Sequence, residues 1–158
     1  MTKFRKISEE QFIADGMDRF ATRDEIKLPL RATKHSAGYD FFTPIDITLY
    51  PGETIKIPTG VRVLLEPNQF LAIVPRSGLG FKYRLQLDNT IGIIDADYSG
   101  SDNEGHIWIK MTNDTYEDKT LCVAKGEAIA QGIIMNYCIT DDDNVTKKRN
   151  GGFGSTSK

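Results

Sequence analysis

From Ile26 to Tyr137 the apolar residues recur at every second position, and prolines and glycines cut the pattern into short lengths. Ile26, Leu28 and Leu30 alternate, as do Ile45, Ile47 and Leu49; Ile55 and Ile57 follow, then Val61, Val63 and Leu65. Pro51-Gly52, Pro58-Thr59-Gly60 and Pro67-Asn68 supply turn chemistry between the runs. A period of two sends successive side chains to opposite faces of a pleat, so this pattern commits the chain to short strands in an all-β barrel or sandwich. Phe70 to Val74 is a continuous apolar run, as expected of a strand buried on both faces. Ile107 to Met111, Lys119 to Ala124 and Ile129 to Tyr137 read as further strands.

The two ends of the chain depart from this period. In residues 1–24, Ser8-Glu9-Glu10-Gln11 fits a capping box, and Phe12, Ile13, Met17 and Phe20 stand at near-helical spacing. The expectation is an N-terminal helical extension over 1–24 that covers an edge or a partner surface, followed by a β core over 25–140. Residues 141–158 begin with Asp141-Asp142-Asp143 and Lys147-Lys148-Arg149, a polar hinge. They end in Gly151-Gly152-Phe153-Gly154-Ser155-Thr156, which cannot pack as a strand alone and reads as a flexible C-terminal arm.

Composition excludes several classes. The 158 residues suit one compact core, and no apolar run approaches the roughly 20 residues of a spanning helix. A net charge of −2 gives no electrostatic case for duplex nucleic acid, so no direct nucleic-acid partner is expected. Cys122 and Cys138 sit among apolar neighbours and read as two reduced core thiols, which points to a cytoplasmic protein. His35 and His106 have no companions at metal-ligand spacing, and no Gly-x-Ser-x-Gly, P-loop or dinucleotide fingerprint occurs.

The stretch Asn89 to Gly100 concentrates the chemistry. Gly92 lets a backbone or flat ligand approach, Asp95 follows the pair Ile93-Ile94 at an expected strand end, and Tyr98 is close enough to wall the same cleft. An acid, an aromatic wall and bare backbone on one hairpin suit a base or sugar with a water activated beside it. Four more stretches stand out. Asp40 follows a glycine turn in Ser36-Ala37-Gly38-Tyr39-Asp40. Pro75-Arg76-Ser77-Gly78-Leu79-Gly80 gathers a cation, a hydroxyl and turn amides, a set that binds phosphate oxygens. Gln131 stands among small residues in Gly126 to Gly132, and the glycine-rich tail sets Phe153 and two hydroxyls near Lys148 and Arg149.

Each stretch alone is a common turn or frayed end. In this order they resemble the five motifs of the trimeric dUTPase family, matched at Ala37–Asp40, Pro75–Gly80, Asn89–Gly100, Gly126–Gln131 and Gly151–Thr156. The similarity runs from about Leu28 to the C-terminus and looks nearest to enzymes from phages of Gram-positive bacteria, which would place the protein in a host cytoplasm. The resemblance implies a jelly-roll-like β barrel and a symmetric homotrimer whose three sites lie at subunit interfaces. The first, second and fourth motifs would come from one subunit, the Asn89–Gly100 segment from a second and the tail from a third.

It also implies hydrolysis of dUTP to dUMP and pyrophosphate. Backbone around Asn89, Gly92 and Ile94, with the Asn89 amide, would read the uracil edge and leave no room for a 5-methyl group. Tyr98 would crowd out a 2′-hydroxyl. Asp95 would act as general base for a water aimed at the α-phosphorus. Arg76, Ser77 and Gly78 would hold α/β-phosphate oxygens, and Gln131 a phosphate oxygen or the metal's water shell. Asp40 would sit near a Mg²⁺ cofactor through water, with the substrate phosphates as direct ligands. Phe153 would stack on uracil, while Gly154, Ser155 and Thr156 would clamp the β/γ-phosphates.

Two departures from the family pattern stand out. Lys148, Arg149 and Asn150 occupy the places where the family has Arg-Gly-x, so the γ-phosphate charge comes from either Lys148 or Arg149. The forked guanidinium favours Arg149. Ser101-Asp102-Asn103-Glu104 looks like a small insertion. With the N-terminal helix it motivates a further role in binding a repressor protein, against the plainer reading of a surface loop. A related dCTP deaminase is the alternative enzyme, and a structural jelly-roll protein the remaining one.

Overall fold

The computed structural model describes residues 1–147 and 149–151. Among the described residues, twelve strands and two short α-helices follow one another, with three 3-10 turns between them. They are β1 (Lys3–Lys6), α1 (Glu9–Ala14), β2 (Leu30–Arg31), β3 (Tyr39–Phe42), β4 (Ile47–Leu49), β5 (Thr54–Pro58), β6 (Val61–Leu64), β7 (Gln69–Pro75), α2 (Ser77–Tyr83), β8 (Leu85–Leu87), β9 (Gly92–Asp95), β10 (Trp108–Asn113), β11 (Leu121–Val123) and β12 (Ala128–Asn136).

Every strand pairing is antiparallel. The largest sheet has the order β2-β3-β12-β7-β9, a second has β5-β10-β8, and β11-β4 and β1-β6 form two-stranded pairs. The neighbours are far apart in sequence, so the chain crosses between sheets as a jelly-roll-like all-β fold does. The strands divide among these sheets rather than pairing into one continuous barrel.

The period-two reading accounts for most strands. β4 and β11 are each buried, exposed, buried in turn, and Leu71, Ala72 and Ile73 make the centre of β7 inaccessible on both faces. Its failures have local causes. Ile26, Leu28 and Leu30 do not form a strand, because Pro29 removes a donor and only Leu30–Arg31 pairs, with β3. Cys122 and Cys138 are both exposed free thiols, not core residues. Cys122 falls on the outward beat of β11 between buried Leu121 and Val123.

The N-terminal segment is not a single helix. Lys3–Lys6 adds a strand to β6, and α1 lasts six residues before Gly16 turns left-handed at φ 71°. Ser8 caps α1 by accepting from the Gln11 amide, but Gln11 does not complete the box. Its side chain bonds Asp15, and the Ser8 N–H goes to Glu104. A reciprocal pair forms instead between Thr22 and Glu25. Ile7, Phe12, Met17 and Ala21 all join the main core with Phe41, Ile57, Leu71 and Ile107. Each fully buried large side chain contributes about 1.5–3 kcal/mol, so the segment is anchored in the core as well as paired along the edge of β6.

Candidate active site

Sheet register brings three of the sequence motifs to one place. β12 lies between β3 and β7, so Gln131 pairs with Asp40 on one side and Val74 on the other. Arg76 follows directly after β7 at the N-cap position of α2, whose first residues are Ser77 and Gly78. The Arg76 Nε lies 3.2 Å from the Asp40 Oδ1, and its Nη1 donates to the Ala128 carbonyl at 3.4 Å. Gln131 Nε2 donates to the Pro75 carbonyl at 3.3 Å. Asp40, Arg76 and Gln131 therefore form one polar cluster, and Ser77 and Gly78 follow Arg76 at the start of α2. The turn read at Pro75–Gly80 is the start of a helix, α2, whose period Gly78 and Gly80 mask in the sequence.

The Asn89–Gly100 stretch forms a second centre, and its shape differs from the expected hairpin. β8 pairs with β10 in one sheet, while β9 pairs with β7 in another. The turn at Asn89–Ile91 thus steps between sheets, with Thr90 in the left-handed region at φ 65°. Asp95 ends β9, as expected, and a 3-10 turn carries Ala96–Gly100. A cavity of about 770 Å³ opens here, lined by Asn89, Gly92, Ile94, Tyr98, Trp108 and Arg149, among others. Gly92 serves packing as well as access, since a Cβ there would come within 3.2 Å of the Ile73 Cβ.

Tyr98 is buried. Its hydroxyl donates to the His106 carbonyl at 3.0 Å and accepts from Asn103 Nδ2 at 2.8 Å. Burial raises the phenol above its ordinary pKa, against smaller lowering contributions from Asn103 and Arg149. The side chain is therefore a neutral, fixed wall of the cavity. The Asp95 carboxylate is paired with Arg149, whose Nη2 lies 2.9 Å from its Oδ2.

The cavity also takes in Lys56, Asp88 and Lys110, which sequence reading did not single out. Lys110 Nζ lies 2.8 Å from Asp88, and Lys56 sits 4.5 Å over the Trp108 ring. The signal was present: once Ile109 and Met111 face the core, Trp108 and Lys110 must face the other side of β10. Lys148, Phe153, Gly154, Ser155 and Thr156 lie outside the described residues. Among the described residues no group of three or more His, Cys, Asp or Glu could hold a metal ion. No helix among them is long and apolar enough to cross a membrane.

Comparison with known proteins gives this all-β, two-centred architecture its class. The family model described as dUTPase matches residues 24–157. A deoxyuridine 5′-triphosphate nucleotidohydrolase of Lactococcus lactis subsp. lactis is 40% identical over 134 residues, 83% of this chain and 88% of that protein. One from Hahella chejuensis is 40% identical over 141 residues, covering 84% and 88%. The crystal structure of dUTPase from Streptococcus mutans superposes with a TM-score of 0.68 at 32% identity, covering 87% of this chain and 98% of that one. A Staphylococcus bacteriophage 80alpha dUTPase shares the fold at a TM-score of 0.67 and 23% identity, over 99% and 98% of the two chains. The chain belongs to the dUTPase family.

Proposed function

We propose that the protein hydrolyses dUTP to dUMP and pyrophosphate at sites shared between subunits of a homotrimer. The observation that carries this reading is the match of residues 24–157 to the family, which spans both polar centres and the tail. The geometry supports the sharing. The cavity around Asn89, Gly92, Ile94 and Tyr98 is not lined by Asp40, Arg76, Ser77, Gly78 or Gln131. Ile91 and Ile93 are exposed beside it. A second subunit would bring the phosphate-binding cluster to the nucleoside cavity and cover these side chains.

In this reading the Asn89 amide and the backbone at Gly92 and Ile94 hold uracil, and Tyr98 packs against deoxyribose. Arg76, Ser77, Gly78 and Gln131 hold phosphate oxygens. The Asp95 carboxylate takes a proton from the attacking water as the bond to the α-phosphorus forms and pyrophosphate leaves. Arg149 exchanges its carboxylate contact for the γ-phosphate, and Phe153, Gly154 and Ser155 close the site over the substrate.

The donor set fits Mg²⁺ that arrives with the nucleotide. Mg²⁺ keeps several waters and is commonly held by one or two carboxylates plus substrate phosphates. Asp40 and Gln131, adjacent across β3 and β12, offer one carboxylate and one amide for that water shell. Bound there, the ion would screen and orient the triphosphate. The structure of the D95N mutant dUTPase from phage phi11 of S. aureus reveals the coordination of a structural Mg(II) ion. A reducing cytoplasm, of the host if the protein is phage-encoded, belongs to the same reading, and both cysteines are free.

The test is pyrophosphate release from dUTP, dTTP, UTP and dCTP side by side, with and without Mg²⁺. Turnover of dUTP alone, lost without the metal, is expected. Ammonia from dCTP would move the protein to the deaminases, and an inert monomer would overturn the reading.

A repressor-binding role has one pointer: phage dUTPases, that of Staphylococcus bacteriophage 80alpha among them, control transfer of virulence genes. The loop that motivated it is not a free surface element. Ser101 is buried, and Glu104 bonds Ser8 and Arg62. The exposed Asp102 is what remains to be tested, by repressor pull-down with Asp102→Ala.

A further inference from the structure

The loop from Ser99 to His106 and the N-terminal segment are joined by two carboxylates that cross in opposite directions. Asp15, at the end of α1, places Oδ2 at 2.6 Å from His106 Nδ1. Glu104, from the loop, accepts from the Ser8 N–H at 3.0 Å and from the Ser8 hydroxyl at 2.5 Å. Arg62, on β6, braces the loop from below, with Nη1 3.3 Å from Glu104 and Nη2 donating to the Ser99 carbonyl at 2.7 Å.

His106 is fully buried, and both ring nitrogens are engaged. Its Nε2 accepts from the Gly60 N–H at 2.9 Å, which requires the tautomer with hydrogen on Nδ1. That hydrogen points at Asp15. The ring is therefore held in one orientation, tilted against Trp108 at 5.3 Å between centroids. Its backbone carbonyl is the acceptor for the Tyr98 hydroxyl. The His106 N–H bonds the Asn103 carbonyl, and Asn103 Nδ2 is the second bond to that hydroxyl. Gly105 turns the loop at φ 72°, so close that a Cβ would reach within 2.7 Å of the Ser99 Cα. Nothing in the chemistry of the site uses Asp15 or His106, yet they end on the residue that walls the sugar.

We propose that Asp15, acting through His106 and with Glu104 as the second anchor, is a positioning residue that sets the Tyr98 wall and so the rejection of a 2′-hydroxyl. The inference rests on the reading of Tyr98 as the deoxyribose wall. Steric rejection of one hydroxyl needs a wall that does not retreat, and a tyrosine held at its hydroxyl by a loop is as rigid as that loop. The N-terminal segment thereby becomes part of substrate selection.

The experiment compares kcat/KM for dUTP and UTP in the full-length wild type, Asp15→Ala, Asp15→Asn, Ser8→Ala and Tyr98→Ala, with Tm measured for each. Asp15→Ala is expected to reduce the dUTP/UTP ratio roughly tenfold, chiefly through faster UTP turnover, with kcat for dUTP kept within a few-fold, as a small loss of placement does. Asp15→Asn keeps an acceptor for the Nδ1 hydrogen and is expected to restore the ratio. Tyr98→Ala is expected to abolish selectivity. If Tyr98→Ala loses selectivity while Asp15→Ala lowers only Tm, the inference is overturned and the sugar wall stands. If Tyr98→Ala keeps selectivity, the sugar wall falls and takes the inference with it. Should Asp15→Ala not fold, Ser8→Ala decides: a reduced ratio supports the proposal, and an unchanged one overturns it.

Discussion

Arg149 lies across the end of β9, its Nη2 2.9 Å from Asp95 and its Nε 3.8 Å from Asp97. Asn150 continues the contact by exchanging bonds with Asp102 through its side-chain amide, at 3.0 and 3.3 Å. The start of the tail thus rests on its own chain's acidic edge, with a guanidinium on the carboxylate assigned as general base. A triphosphate is a stronger anion than two exposed carboxylates, so substrate binding would draw Arg149 away and leave Asp95 to the water.

Replacing Asp95 by Asn removes the base and changes the shape little. The expected outcome is a fall in kcat of about 10² to 10⁴, the range general-base catalysis supplies. KM for dUTP should stay within a few-fold, and the oligomer should be intact by light scattering. Near-normal turnover would remove Asp95 from the mechanism.

Truncation after Arg149 tests the arm. The Asn150–Asp102 contact is exposed and contributes little, so the oligomer and Tm are expected to match those of the full chain. Pyrophosphate release should fall by orders of magnitude, because the groups assigned to closing the site are gone. A truncated protein that dissociates would make the arm part of the assembly instead.

Phe12 measures how far the N-terminal segment belongs to the core. It is fully buried among core side chains, and Phe12→Ala is expected to cost about 3–5 kcal/mol in chemical denaturation. A covering helix outside the core would give a loss near zero.

His106 sets a pH dependence with a definite sign. Burial lowers its pKa below the ordinary histidine value, outweighing the opposing pull of Asp15 and Glu104. The unfolded chain binds this proton near pH 6.5, and the folded chain only at lower pH. The neutral ring's contribution is therefore complete above about pH 6.5 and is lost as pH falls towards the folded value, by up to about 1.4 kcal/mol per unit. A thermal scan from pH 8 to 5 should show the Tm difference between wild type and His106→Gln narrowing on the acid side. A constant difference would mean that the ring does not titrate differently in the two states.

Strand positions were legible because one side of each strand is buried, and burial writes a period of two into the residue types. Ile47 and Leu49, Ile55 and Ile57, and Val61 and Val63 all obey it. The same logic misplaced Cys122, since an apolar neighbourhood in sequence is not one in space when alternate residues face water. α2 stayed hidden behind two glycines, and the expected hairpin at Asn89 proved to be a step between sheets, because strand pairing depends on which distant segment supplies the free edge.

The residue types assigned to the chemistry, and their order along the chain, are properties of the sequence alone: an acid ending an apolar run, an arginine and serine after a buried strand, a glutamine among small residues. Their grouping belongs to the tertiary structure. Only the register of β12 between β3 and β7 sets Gln131 beside Asp40, and only the packing of α1 carries Asp15 to His106, 91 positions away. Local propensity acts over a few residues, whereas hydrogen-bond ladders and buried contacts join segments that no linear pattern relates.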